Sequence, residues 1–102
     1  MATSIIIRDQ FVIESYTKDV TVSAGGYASI DETKTKSGYS PVAAVGFNTT
    51  GTNSSYAQPV KMRLYSPTTG STGVLYGVRN QFNTACSWTL QIDVLWRKVG
   101  GG

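Results

Sequence analysis

Six carboxylates, one thiol and no imidazole make up the reactive side chains of this 102-residue chain: Asp9, Glu14, Asp19, Asp31, Glu32, Asp93 and Cys86. Glycoside hydrolysis needs two carboxyl groups held across a cleft about 5–10 Å wide. Asp31 and Glu32 are adjacent in the chain, and neighbours on an extended backbone point to opposite sides, so they are poor partners. They lead into Thr33-Lys34-Thr35-Lys36, which reads as a solvated turn. With no His, a serine- or cysteine-protease triad, a His-based zinc site and an imidazole acid–base are excluded. Cys86 has neither a second Cys for a disulfide nor a His to activate it. Two residues before Trp88, it reads as a small buried hydrophobe. No D-x-[DN]-x-[DN]-G calcium loop occurs. The expectation is a protein that is not an enzyme and carries no cofactor and no metal.

Binding chemistry is better represented. Glycan recognition sets an aromatic ring against the C–H face of a sugar, with amides and Arg reaching the hydroxyls. Asn48, Asn53, Tyr56, Arg79, Asn80, Gln81 and Asn83 offer those groups around two polar stretches, 48–55 and 80–85, with Tyr56 as the stacking ring. Nine Lys/Arg against six Asp/Glu give a net charge of +3, but the bases are scattered and only 15% of residues are charged. A nucleic-acid binder would show a denser basic stripe interleaved with exposed aromatics, so none is expected. A weakly charged surface rich in Ser, Thr, Asn, Gln, Gly and Tyr suits neutral polar partners or further copies of the chain.

The elements that must position these groups are strands. In Trp88–Arg97 one side carries Trp88, Leu90, Ile92, Val94 and Trp96, and the other Thr89, Gln91, Asp93, Leu95 and Arg97. Period two over that length marks a strand with one face on a core. Val60–Tyr65 and Thr72–Arg79 alternate likewise, and Val20 and Val22 continue the pattern early on. Turn chemistry at Ala24-Gly25-Gly26, Ser37-Gly38, 48–55, Ser66–Gly70 and 80–85 separates the runs. The fold class expected is all-β, an antiparallel, jelly-roll-like β-sandwich of about six to eight short strands. No run of about 18 apolar residues suggests a membrane span, and Met1–Ile7 lacks the basic start of a signal peptide.

Three segments are expected: an N-terminal strand or arm over 1–15, a domain over 16–98, and a flexible Gly tail over 99–102. Ile5, Ile7, Phe11 and Ile13 share a face at period two, as a strand of the same sheet or as an arm pairing with a neighbouring subunit. If every connection reverses direction, the connections at 23–26, 48–55 and 80–85 lie at one end and those at 31–40 and 66–71 at the other. Asp93 reads either as solvent-exposed or as a paired carboxylate at a subunit interface, answered by Arg63, Arg79 or Arg97. Faces that should be polar carry Tyr65, Leu75 and Leu95, while Val45 and Phe47 oppose Ala44 and Gly46. Spare apolar surface of this kind points to a homo-oligomer, with Ile5, Ile7, Phe11, Leu75, Asp93, Leu95 and Trp96 as interface candidates.

The order of short motifs adds a resemblance. Val20-Thr21-Val22-Ser23-Ala24-Gly25-Gly26, Ser37-Gly38-Tyr39-Ser40-Pro41-Val42-Ala43, Val45-Gly46-Phe47, Val78-Arg79-Asn80 and Val94-Leu95-Trp96-Arg97-Lys98 follow one another. This order resembles small β-domains at the C-termini of tail-fibre and minor structural proteins of phages and prophages of Gram-positive gut bacteria. The resemblance covers residues 16–98, and this chain departs from it in lacking a long stem. It implies a homotrimeric domain of a virion or fibre tip, made in the bacterial cytoplasm, that contacts other fibre or tail proteins. Its implied role is receptor binding, through host surface glycans, or simply closing the fibre as a structural cap or adaptor.

Overall fold

The computed structural model describes the backbone of residues 2–7 and the whole of residues 10–99. Among the described residues seven strands follow one another: β1 (Ala2–Ile7), β2 (Phe11–Val22), β3 (Tyr27–Thr35), β4 (Tyr39–Thr50), β5 (Ala57–Thr68), β6 (Ser71–Asn80) and β7 (Cys86–Lys98). A single turn of 3-10 helix, Ser54–Tyr56, precedes β5. All pairings are antiparallel. Sheet I has the order β1-β2-β7-β4 and sheet II the order β3-β6-β5. The expected all-β sandwich is the observed fold, although its strands reach 13 residues and are not the short ones anticipated.

The topology is that of one long ribbon folded on itself. Its two arms pair, β2 with β7 and β3 with β6, and the ribbon then rolls so that β4 lands beside β7 and β5 beside β6. This is the winding of a jelly roll shortened by one pair of strands. The three connections expected at one end are joined there by hydrogen bonds, Gly25 N to Asn80 O (3.0 Å), Asn80 N to Gly26 O (2.8 Å) and Gln81 N to Tyr56 O (3.0 Å). At the opposite end Lys36 N donates to Gly70 O (2.9 Å) and Val99 N to Gly38 O (3.0 Å).

The core is the inner face of β7 closed by β6. Trp88, Leu90, Ile92, Val94 and Trp96 all point inward, against Val74, Tyr76 and Val78. Each such aliphatic side chain contributes about 1.5–3 kcal/mol by leaving water, so β7 alone fixes most of the sandwich. Phe47 adds an edge-on ring contact to Tyr76 at 5.7 Å.

Several local expectations need correction. β2 runs unbroken from Phe11 to Val22 and pairs with β7 throughout, so the division expected between residues 15 and 16 falls inside one strand. Along β1, Ile5 and Ile7 stand opposite Ile13 and Phe11 in register. Phe11 and Ile13 lie on the outer side of sheet I, because Val12 and Glu14 between them are the buried ones. In β4 the register slips at Val42 and again at Val45. These bulges place Val42 and Val45 outside and let Ala44 and Phe47 both reach the core, which simple alternation forbids. Residues 31–35 are strand, not turn. Of the tail, Val99 is tied to Gly38, and residues 100–102 lie outside the described residues.

Candidate functional site

The reversal Ala24-Gly25-Gly26 delivers Tyr27 as the first residue of β3, and the β3–β6 register sets it opposite Arg79. On the other side of β6, Gln58 of β5 also faces Arg79. The register skips Val60, so Lys61 comes opposite Gly77. These groups share the outer corner of sheet II next to the loop end. Tyr27 is 57% exposed, the most open of the large apolar side chains. The Lys61 Nζ stands 5.7 Å from the centre of the Tyr27 ring. Tyr27, Val60, Lys61 and Arg79 line an open hollow of about 240 Å³, smaller than the roughly 300–1,000 Å³ of drug-sized sites and suited to one ring-sized ligand.

Glycine makes the corner possible. A Cβ on Gly77 would lie 2.5 Å from the Ala28 carbonyl oxygen, so β3 and β6 could not approach as they do. Further along β6, Gly73 leaves room for the Tyr65 ring to lie across the strand, where its hydroxyl donates to Asp31. Asp31 thus holds the Tyr65 phenol above its ordinary pKa. At the loop side, Gln81 Nε2 donates to Gln58 Oε1 at 3.0 Å, adding planar amides beside Arg79.

Of the residues expected to bind, Arg79 and Gln81 are brought together here, with Tyr56 nearby through its carbonyl bond to Gln81 N (3.0 Å). The Tyr56 ring packs on Phe82 with centroids 4.4 Å apart. Asn80 must be removed from the set. It is fully buried, its Nδ2 donating to Val22 O and Thr84 O (both 3.0 Å) and its Oδ1 accepting from Phe82 N at 2.8 Å. It ties the end of β2 to the β6–β7 connection and, fully buried, is out of a ligand's reach. Asn48 lies on the outer side of sheet I opposite Gln91, away from Arg79. Asn53 sits at a left-handed turn (φ 64°), and Asn83 is exposed in the β6–β7 connection. Sequence reading misses Tyr27, Gln58 and Lys61, whose signal is a strand pairing and not a local motif.

The interface candidates do not form one surface either. Phe11, Asp93 and Leu95 share the outer side of sheet I, whereas Leu75 is on the outer side of sheet II, between Asp31 and Arg63. Trp96 is fully buried in the core, so it cannot meet a neighbour. The side chains of Ile5 and Ile7 lie outside the described residues. Asp93 accepts from Ser15 Oγ (2.6 Å) and Gln91 Nε2 (3.0 Å) and lies over Gly46, where a Cβ would meet its Oδ2 at 2.6 Å.

Two other polar regions are self-contained. A larger hollow of about 350 Å³ on sheet I lies among Asp19, Thr21, Ser87, Trp88 and Thr89. There Thr21 and Ser87 bond each other at 3.0 Å and Thr89 donates to Asp19 at 2.7 Å. Between β2 and β3, three lysines are paired: Lys18 and Lys34 with Glu32 (3.2 and 3.0 Å), and Lys36 with Glu14 (2.7 Å). The bond from Lys34, and then that from Lys18, hold Glu32 below its ordinary pKa against the opposing effect of burial. Glu32 therefore points inward while Asp31 points outward to Tyr65, which keeps these adjacent carboxylates from acting on one bond. Burial, and secondarily the Glu32 charge, push the Tyr76 phenol up to about 12.

No family model, curated protein or solved structure matches this chain.

Proposed function

We propose that this protein is a non-enzymatic virion or fibre-tip domain of a phage that binds host cell-surface carbohydrate as a homotrimer. The observation that carries the binding part is the outer corner of sheet II: an open aromatic ring at Tyr27 flanked by Lys61, Arg79 and the Gln58–Gln81 amide pair. A ring face for C–H contacts beside amide and cationic donors is the arrangement that sugar recognition uses. Support for self-association comes from the outer side of sheet I, where half-buried Phe11, Ile13 and Leu95 lie together and Val42 and Val45 of β4 stand half exposed. Contiguous exposed apolar surface is a feature of faces that meet a partner.

A glycan array probed with the purified chain and with Tyr27→Ala and Arg79→Ala tests the site. Binding that both substitutions abolish supports the reading, and binding that survives both places the site elsewhere. Failure to bind any surface polysaccharide favours a structural cap or adaptor without a ligand. Light scattering tests assembly, with a three-fold mass expected and a stable single protomer at high concentration against it.

A further inference from the structure

We infer that the corner hollow selects an anionic sugar, a pyranose bearing a carboxylate or sulfate, over a neutral one. The inference rests on the saccharide-binding reading above and goes further by naming the ligand's charge. Its basis is an imbalance among the described residues. The lysines at the seam between the sheets each have a carboxylate within 3.2 Å, but Lys61 and Arg79 have none within ion-pairing distance. Arg63, opposite Leu75 on the same face, adds a third cation. The acid of that face, Asp31, is engaged by the Tyr65 hydroxyl. The hollow thus presents two cations without a carboxylate partner beside one exposed ring, with Lys61 over the ring face.

The geometry divides the work. The Tyr27 face takes the apolar side of one sugar ring, and the size of the hollow, about 240 Å³, limits it to a single residue of a polymer. Lys61 stands 5.7 Å from that ring's centre, and Arg79 is Tyr27's cross-strand partner. An acidic substituent on a sugar held against that ring therefore lies within reach of both cations. The guanidinium meets a carboxylate or sulfate through paired N–H donors, whereas the ammonium acts as a point charge.

The test compares polygalacturonate with its methyl-esterified form, which keeps the rings and removes the charge, alongside dextran sulfate, dextran and inorganic sulfate. Binding of polygalacturonate or dextran sulfate, weakened about tenfold or more by Arg79→Gln or by Tyr27→Ala, is expected, each substitution removing one contact. Which of the two polymers binds tells carboxylate from sulfate. Both variants should retain the parent's melting temperature, since both side chains are exposed. Equal binding of the esterified polymer or of dextran overturns the selectivity for charge and leaves the saccharide reading standing. Binding that inorganic sulfate displaces as well as the polymers do, with Tyr27→Ala silent, overturns the ring's part. Absence of binding to all of these while other glycans bind overturns the inference alone, and absence of binding to every glycan overturns both.

Discussion

Two charged regions of this sandwich are built from the same kinds of residue and end in opposite states. In the seam between β2 and β3, Lys18 and Lys34 share Glu32, and Lys36 pairs with Glu14. At the outer corner of sheet II, Lys61 and Arg79 stand beside Tyr27 with no carboxylate in reach among the described residues. The difference follows solvent exposure for Lys34 and Lys36, each 23% exposed, against exposed Arg79; Lys18, 49% exposed, and half-buried Lys61 do not follow it. A part-buried ammonium without a partner loses hydration and is costly, so the seam must close its own pairs. The exposed Arg79 guanidinium stays hydrated and half-buried Lys61 lies over the Tyr27 ring, so nothing in folding obliges the corner to balance its charge. Charge that folding does not require is the charge available to a ligand.

The largest effect expected from breaking that contrast is in the seam. Glu14→Ala leaves Lys36, whose side chain is only 23% exposed, facing the space between the sheets. Full burial would cost about 3–5 kcal/mol; partial exposure of Lys36 reduces this to about 2 kcal/mol, read as a shift in a urea melt. The double replacement of Lys61 and Arg79 by Ala should move the same melt by less than about 0.5 kcal/mol. Equal losses at the two regions would end the distinction.

Next in size is Tyr76, whose hydroxyl is buried with no hydrogen-bond partner. Tyr76→Phe should stabilise the fold by about 1 kcal/mol, because an unmet buried hydroxyl is removed with little change in shape. It should also alter the alkaline limb. The folded phenol titrates at about 12 against an ordinary 10.0, so the unfolded chain releases its proton first as pH rises. Stability conferred by the protonated phenol is therefore complete below pH 10 and declines between 10 and 12. The Phe variant should lose a large part of that decline, and Tyr16, raised chiefly by burial, should retain a share of it.

The smallest expected effect lies on the acid side. Glu32 is held below its ordinary value of 4.5 by Lys34 and Lys18. Its contribution is present above that value and is lost as pH falls through the lowered one. Glu32→Gln should flatten the melting-temperature profile in that window and leave it unchanged in shape near neutrality. A profile identical to the parent's below pH 4.5 would show that the Glu32 pairs contribute nothing to folding.

Legibility in the sequence differs from strand to strand. β7 can be read directly, because its alternating Trp, Leu, Ile and Val side chains meet one continuous core and no bulge interrupts them. β3 does not read as a strand at its charged end. Glu32, Lys34 and Lys36 have the polarity of a solvated turn, and only Glu14 and Lys18 on β2 make their inward side tolerable. In β4 the alternation is visible but gives the wrong sides, since the extra residue at Val42, and again at Val45, reverses the parity of the strand beyond it. Asn80 looks like a binding amide because a ligand contact and a structural tie use the same donors and acceptor.

The amino-acid order by itself determined the class of fold, the direction of the chain at each turn and the exclusion of imidazole chemistry. These depend on side-chain type and on spacings of a few residues. Tertiary structure alone decided that Tyr27 stands beside Arg79 and Lys61, that Asn80 is sealed in the interior and that the seam lysines are answered. Those outcomes rest on which strands pair and where their register slips, and backbone pairing energy is nearly indifferent to the partner's identity until a whole face is buried.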